Sequence, residues 1–187
     1  MSEPGTHGWR PRRLSAVAAV PKKLKPWLDE PGSLTRRLRG LAGEQFYVRV
    51  IRECWLQPWP DERARLAISA RRHVWLREVM LCRGEVPLVY ARSIIPASSL
   101  RGPLRRFRQL GSRPLGALLF GRYPVARGPI EVAPVIAGSR LGLTAGLPQQ
   151  SSVAWARRSI FHIGGRALLI TEVFLPPLLE ELAHARR

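Results

Sequence analysis

The amino-acid sequence predicts an α+β domain in which a single antiparallel β-sheet of about six strands carries a few short helices. Runs rich in β-branched and aromatic residues recur along the chain, and turn-forming residues separate them. The strongest turn signal is the Gly164 and Gly165 pair, because two glycines between two such runs are typical of a two-residue hairpin. A length of 187 residues, 45% of them hydrophobic, is enough for one domain with a substantial core.

The beginning of the chain predicts a tail, a helix and a strand. Residues 1–25 are rich in Pro, Gly and Arg and lack periodicity, so we expect a flexible basic tail ahead of a domain at residues 26–187. Ser33 is suited to cap a short helix that has leucines on one face. Residues 45–55 are rich in aromatic and β-branched side chains and predict a strand, which Pro58 ends.

A hairpin is predicted in the middle of the chain, after a brief helical turn within residues 61–70. Residues 73–81 alternate between two faces, as a strand does. Residues 82–85 have the composition of a turn, and residues 86–95 form the return strand. The alternation places Arg77 in the middle of the first strand, on a largely apolar face.

The elements that follow are shorter or less clearly marked. Helices are predicted over residues 98–109 and, because Pro114 suits a first helical position, over residues 115–120. Strand character resumes over residues 125–135, whereas residues 137–150 predict no clear element.

The charge of the chain has two interpretations. Lys and Arg number 31 against 13 Asp and Glu, so the formal net charge is +18. A basic chain can bind nucleic acid through its phosphates. Here 28 of the basic residues are arginines spread along the whole chain, and no dense basic tail, zinc module or RNA-binding aromatic motif is present. We therefore expect no nucleic-acid partner, and a small anionic substrate is at least as compatible with the charge.

Composition argues against several other classes of protein. Two cysteines and four histidines without metal-ligand spacing predict neither a disulfide scaffold nor a metal site. No phosphate-binding or dinucleotide-binding glycine motif occurs. No apolar run approaches the ~18 residues of a membrane helix, and residues 14–20 are too weakly apolar for a signal peptide. We expect a cytoplasmic monomer with no membrane span.

Glu172 is the most informative charge in the sequence. The last two predicted strands cover residues 153–163 and 166–174, and Glu172 is the only charge within residues 168–175. Burying a lone carboxylate is costly, so it should be paired or have a raised pKa, which is typical of a general acid or base or of a ligand for a hydroxyl. The alternative is an edge-strand glutamate that reaches solvent or pairs with a structural arginine; the pattern favours neither.

Two further positions are candidates for binding an anion. Arg77 can offer a planar two-point fork to a carboxylate, although most arginines of so basic a chain lie at the surface. Pro114 leaves the N–H groups of Leu115 and Gly116 without partners inside the predicted helix, so they can face an anion. An ordinary connecting turn is the more common reason for such a pattern.

At these residues the sequence resembles the chorismate lyase family. Four blocks carry the resemblance in the family's order, and they are specific together although each alone is weak. They are Trp-Leu-Arg-Glu-Val-Met-Leu-Cys at residues 75–82, Ala-Arg-Ser-Ile-Ile-Pro at 91–96 with Ser-Leu-Arg-Gly-Pro at 99–103, Leu-Gly-Ser-Arg-Pro-Leu-Gly at 110–116, and Leu-Leu-Ile-Thr-Glu-Val-Phe-Leu-Pro at 168–176.

The resemblance implies a sheet whose ligand site is enclosed beneath helical flaps. It implies a reaction without cofactor or metal that eliminates pyruvate from chorismate to give 4-hydroxybenzoate, the first committed step toward ubiquinone. It further implies that Glu172 and Arg77 are catalytic and that five residues bind the substrate: Arg77, Leu115, Glu172, Leu34 and Arg92. Leu34 stands where the family has a methionine, so that contact stays apolar but loses its sulfur.

Two other hypotheses stay open. A noncatalytic module of the same fold, as in the effector domains of some transcription regulators, would bind small aromatic acids without turning over chorismate. It would need a separate DNA-binding domain, and the first 30 residues are too short and too rich in proline to supply one. A nucleic-acid-binding protein would show binding that falls as salt rises.

Overall fold

Eight strands form one antiparallel sheet in the computed structural model, which describes residues 8–11, 20–116, 124–150 and 153–184. The strands are β1 (Arg10–Pro11), β2 (Phe46–Leu56), β3 (Val74–Arg83), β4 (Val86–Pro96), β5 (Val125–Arg127), β6 (Glu131–Val135), β7 (Ala154–Ile163) and β8 (Arg166–Phe174). Their order across the sheet is β1-β6-β7-β8-β4-β3-β2, and β5 also pairs with β7. The predicted α+β class with a single antiparallel sheet is confirmed, with two more strands than the sequence indicated.

Short helices connect and cover the strands. The α-helices are α1 (Lys25–Leu28), α2 (Leu34–Ala42), α3 (Pro60–Leu66), α4 (Arg140–Thr144) and α5 (Pro176–His184); 3-10 helices span Lys22–Leu24, Gly43–Gln45, Ala97–Ser99 and Gly102–Gln109. Ser33 caps α2 as expected, because its side chain accepts a bond from the Arg36 N–H at 3.3 Å. Among the described residues, no helix is long and apolar enough to cross a membrane.

The helical predictions differ from the structure in two places. Residues 97–109 form two 3-10 helices rather than one α-helix, because Gly102, which begins the second, has a φ of +56° that no α-helix contains. Residues 137–150, which predict no element, contain α4, capped by the Ser139 side chain. Of the helix predicted over residues 115–120, residues 117–120 lie outside the described residues.

The two faces of the sheet pack against different elements. One face is covered by α1, α2 and the 3-10 helix Gly102–Gln109, whose leucines and aromatic side chains contact apolar residues of β3, β7 and β8. The other face is covered by α3 and α4. Successive strand residues point to opposite faces, so the register of each strand decides which side chains reach which layer.

The N-terminal segment is more closely packed than the expected flexible tail. Arg10–Pro11 pairs with β6, and Val20 and Leu24 are buried in the core beside α1. Residues 20–25, which fall within the expected tail, are therefore part of the folded domain. Residues 1–7 and 12–19 of that tail lie outside the described residues.

Two helical glycines give a matched test of this packing. A Cβ added at Gly142 in α4 would lie 2.1 Å from the Ile136 carbonyl oxygen, whereas one added at Gly40 in α2 would meet nothing within 4 Å. We expect Gly142→Ala to lower the free energy of unfolding by about 1–3 kcal/mol or more because backbone must move. Gly40→Ala should raise it by about 0.5–1 kcal/mol because alanine favours the helix. Urea denaturation measures both, and equal effects would contradict the packing of α4.

Candidate active site

A largely enclosed cavity lies between the sheet and two segments of chain. The N-terminal cover, residues 27–35, runs from the end of α1 into the start of α2; the central cover, residues 110–116, follows the 3-10 helix Gly102–Gln109. The space between the atoms, open mouth included, is about 570 Å³. Its lining is mostly apolar, and the charged side chains in it are those of Arg77, Arg157 and Glu172.

Arg77 joins the sheet to the central cover. It lies in the middle of β3, is 2% exposed, and donates to the Glu53 carboxylate directly opposite on β2. Its Nη2 donates to the carbonyl oxygens of Gly111 at 2.8 Å and Arg113 at 3.2 Å. These bonds use three of the five N–H groups of a guanidinium. The predicted fork thus lies in the cavity, with its charge balanced by Glu53.

Arg157 and Glu172 lie directly opposite each other on β7 and β8. The Arg157 Nε donates to the Glu172 Oε2 at 2.6 Å, and its Nη1 donates to the carbonyl oxygens of Trp27 and Glu30, both at 2.9 Å. The Arg157 side chain is 1% exposed and that of Glu172 is 15% exposed. Glu172 therefore has an arginine partner, one of the alternatives the sequence left open, and it also lines the cavity.

The two covers meet over the cavity. Leu34 lines it from the first turn of α2, and Leu115 lines it from the central cover. A Cβ added at Gly116 would lie 2.7 Å from the Ser33 Oγ, so the two segments approach each other where only a glycine fits without movement. The structure thus brings together four of the five predicted binding residues, Arg77, Leu115, Glu172 and Leu34.

A third arginine adds positive charge behind the N-terminal cover. Arg127 of β5 donates to the carbonyl oxygens of Glu30 at 2.8 Å and Pro31 at 3.1 Å, and to the Ser159 Oγ at 3.2 Å. It forms no ion pair with a carboxylate of the described residues. Burial, and then the nearby charge of Arg157, lowers the pKa of Arg127 to about 10. Positive charge therefore exceeds negative charge at this end of the cavity, which favours an anionic ligand.

Arg92, the fifth predicted residue, does not reach the cavity. If the two strands were paired without irregularity from the β3–β4 turn outward, Arg92 would lie opposite Arg77 and on the same face of the sheet. The ladder instead shifts by one residue at an irregularity near the turn, so Arg77 lies opposite Ser93 and Arg92 opposite Glu78. A shift of one residue moves a side chain to the other face. The expectation that Arg92 contributes to this site is corrected for that reason.

Arg92 belongs to a buried polar network on the opposite face. Its guanidinium donates to both carboxylate oxygens of Glu62, at 2.6 and 3.2 Å, and to Glu78 at 2.6 Å, and it stacks on the Trp59 ring at 3.8 Å. The Tyr90 hydroxyl completes the network by donating to Glu78 at 2.6 Å. All these groups find partners within the protein, so the network attaches α3 to the sheet.

Sequence patterns missed three residues that shape the site, namely Glu53, Arg127 and Arg157. Arg157 could have been predicted from the sequence. Counting equal numbers of residues outward from the Gly164 and Gly165 turn pairs it with Glu172, and the structure shows this register. The position of Glu53 depends on the bulge in β2, and that of Arg127 depends on the pairing of the short β5 with β7. No local pattern predicts either feature.

The groups in the cavity that can take part in chemistry are its charged side chains. No group of three or more His, Cys, Asp or Glu side chains in the described part of the chain is placed to hold a metal ion. The site combines a guanidinium fork, a carboxylate and an excess of positive charge in an apolar enclosure. Such a site can bind a small carboxylic acid with an apolar body and can accept or donate a proton.

Comparison with known sequences assigns the family. The sequence model described as chorismate lyase matches residues 8–183, nearly the whole chain. The chain belongs to the chorismate lyase family. The cavity therefore lies in a member of that family, and the resemblance seen in the four sequence blocks is confirmed.

Curated relatives of the family are similar over most of their length. A protein of Halorhodospira halophila is 45% identical over 189 residues, covering 95% of both chains, and one of Aromatoleum aromaticum is 44% identical over 165 residues, covering 86% of this chain and 89% of its own. A protein of Methylococcus capsulatus is 43% identical over 159 residues, covering 83% of this chain and 96% of its own. Each is named "Probable chorismate pyruvate-lyase".

Solved structures show a shared fold with transcription regulators. A GntR-family regulator of Bacillus cereus aligns with a TM-score of 0.55 at 12% identity, covering 72% of this chain and 94% of its own. The effector domain of PhnF from Mycobacterium smegmatis aligns with a TM-score of 0.53 at 13% identity, covering 78% and 90%. At these identities the likeness concerns the fold alone.

The structural role of Arg92 can be tested against a matched arginine. Arg92→Met leaves Glu62 and Glu78 buried without their cation, and we expect the free energy of unfolding to fall by about 3–5 kcal/mol. Arg65→Met removes a partly exposed ion pair to Glu131, which keeps a bond from Arg158, so the loss should stay below about 1 kcal/mol. Urea denaturation measures both values, and an unchanged midpoint in Arg92→Met would contradict the structural role.

Proposed function

We propose that this protein eliminates pyruvate from chorismate and leaves 4-hydroxybenzoate, the first committed step toward ubiquinone. Membership of the chorismate lyase family supports the reaction class. The observation that carries the proposal is that Arg77 and Glu172 line one largely enclosed cavity, so that one bound ligand can contact both a cation and a carboxylate. The excess positive charge near Arg127 suits a substrate with two carboxylates.

The reaction needs no electrons from outside and no added group. The bond between ring C3 and the ether oxygen breaks, and the oxygen leaves with its electron pair as enolpyruvate. The proton on the neighbouring ring carbon C4 departs, and its electron pair forms the ring double bond that completes the aromatic ring. Enolpyruvate then takes up a proton on carbon and becomes pyruvate. Aromatisation supplies the driving force, so we propose that no cofactor or metal takes part.

The four residues gathered in the cavity fit distinct parts of this substrate. Arg77 binds one carboxylate through its charge and the N–H groups that Glu53 and the central cover leave free, and the Leu115 backbone N–H bonds a further oxygen of the ligand. Glu172 either bonds the ring hydroxyl or takes up the C4 proton, and both roles need its carboxylate inside the cavity. Leu34 packs against the apolar part of the ring. Enclosure by both covers favours slow release of the product.

Other features of the proposal concern the whole protein. The expectations of a monomer and of a cytoplasmic location stay predictions. A noncatalytic module that binds small aromatic acids remains the alternative function, since the fold is shared with a regulator's effector domain. It is separated from the lyase by whether chorismate is consumed.

Direct assay of the purified protein tests the reaction. We expect chorismate to be converted to 4-hydroxybenzoate and pyruvate in equal amounts, at a rate that a metal chelator leaves unchanged. Absorbance together with chromatography of the acid product measures the first, and a coupled lactate dehydrogenase assay measures the second. Binding of 4-hydroxybenzoate without loss of chorismate would favour the noncatalytic module, and a different hydroxybenzoate would contradict the proposed product.

A substitution at Glu172 tests its part in turnover. Glu172→Gln keeps the shape of the side chain and removes its charge and basicity, so we expect kcat to fall by about 10²–10⁴-fold while the fold is retained. Glu180→Gln, at an exposed position of α5, is the matched control and should leave kcat unchanged. Steady-state kinetics and a thermal melt of each variant give the comparison. A kcat within about twofold of the wild type for Glu172→Gln would contradict its role.

A further inference from the structure

One guanidinium connects the ligand-facing glutamate to the N-terminal cover. Arg157 uses its Nε for Glu172 and its Nη1 for the carbonyl oxygens of Trp27 and Glu30, with the Leu28 carbonyl oxygen also at 3.5 Å. Its side chain is 1% exposed, so water offers it no substitute partners. Moving the cover away from the sheet would leave a buried guanidinium with unpaired donors, and turning Glu172 away would leave it without its counter-charge.

Arg127 also holds the N-terminal cover. It donates to the carbonyl oxygens of Glu30 and Pro31, and its ring contact with Phe161, a cavity-lining residue, is 5.1 Å from guanidinium carbon to ring centre. Two neighbouring arginines on paired strands thus both bond the Glu30 carbonyl oxygen. Their mutual repulsion is offset by the carbonyl dipoles and by Glu172.

The held loop is braced from within. The Glu30 side chain accepts bonds from the Gly32 N–H at 2.9 Å and from Arg37 at 3.0 Å. Burial alone would raise the pKa of Glu30, but these two bonds and the charge of Arg37 outweigh it and lower that pKa. The loop therefore keeps its shape and positions residues 32–35, which line the cavity.

We propose that Arg157 is a positioning residue that fixes the Glu172 carboxylate and the N-terminal cover together, and that Arg127 is a second hold on the cover alone. The arrangement ties the orientation of the glutamate to the closed state of the cavity. Its effect on turnover rests on the proposed function. Arg157 touches Glu172 rather than reacting atoms, so it acts through the glutamate.

Lysine substitutions separate the two roles. Arg157→Lys keeps the charge but replaces two separate donor nitrogens with one, which cannot occupy both the Nε position at Glu172 and the Nη1 position at the two carbonyl oxygens. We expect amide hydrogen exchange in residues 28–35 of the ligand-free protein to rise by about tenfold or more. We expect the single-turnover rate with chorismate to fall by a similar factor. Arg127→Lys should raise the same exchange and speed 4-hydroxybenzoate dissociation, and lower the single-turnover rate less than Arg157→Lys does.

Arg158→Lys is the matched control, because Arg158 is the next residue of β7 but faces the opposite layer, where it pairs with Asp61 and Glu131. It should change neither exchange in residues 28–35 nor the single-turnover rate. Unchanged exchange in Arg157→Lys would overturn the proposal, and so would raised exchange with an unchanged single-turnover rate. If Arg157→Lys fails to fold, Arg127→Lys decides through exchange alone.

The exchange measurement does not depend on the reaction. If the wild-type protein leaves chorismate intact, the proposed function fails, yet a rise in exchange confined to residues 28–35 of Arg157→Lys and Arg127→Lys still supports the hold on the cover. If chorismate is converted and exchange does not rise, the proposed function stands and the hold on the cover is rejected.

Discussion

The cavity depends on two buried arginines that each bind one glutamate and the backbone of one covering segment. Arg77 pairs with Glu53 and holds the central cover, and Arg157 pairs with Glu172 and holds the N-terminal cover. A guanidinium that leaves water needs both a counter-charge and acceptors for its remaining N–H groups. In this fold the carbonyl oxygens of the covers supply those acceptors. The two guanidinium groups therefore have all these hydrogen bonds only when the covers lie over the cavity.

Successive side chains of a strand point to opposite faces of the sheet, and this separates the charged groups of the cavity from the ion pairs of the other layer. Arg92 comes directly after the cavity residue Ala91, and Arg158 comes directly after Arg157. Both side chains nevertheless point to the opposite layer and pair with carboxylates there. The second layer can therefore anchor α3 without adding charge to the cavity. Most of the +18 net charge lies outside the cavity altogether, and what distinguishes the site is how few charges it holds and how each is paired.

Local patterns predicted what local physics determines. The Gly164 and Gly165 hairpin, the Ser33 cap and the inward face of Arg77 follow from turn geometry, capping and alternation over a few residues. Arg92 was assigned to the site by the family resemblance alone, and a one-residue irregularity in the β3–β4 ladder, which has no strong local signal, turns it to the other face. The role of Arg157 depends on carbonyl groups about 130 residues earlier in the chain, contacts that only the folded chain creates.

The most direct test of the account is a crystal structure of the protein with 4-hydroxybenzoate bound. We expect the product to lie in the cavity between both covers, with its carboxylate within hydrogen-bond distance of Arg77 and its hydroxyl within hydrogen-bond distance of Glu172. Arg157 should keep its bonds to Glu172 and to the N-terminal cover in that complex. Product bound outside the cavity, or bound inside it with neither Arg77 nor Glu172 in contact, would contradict the account.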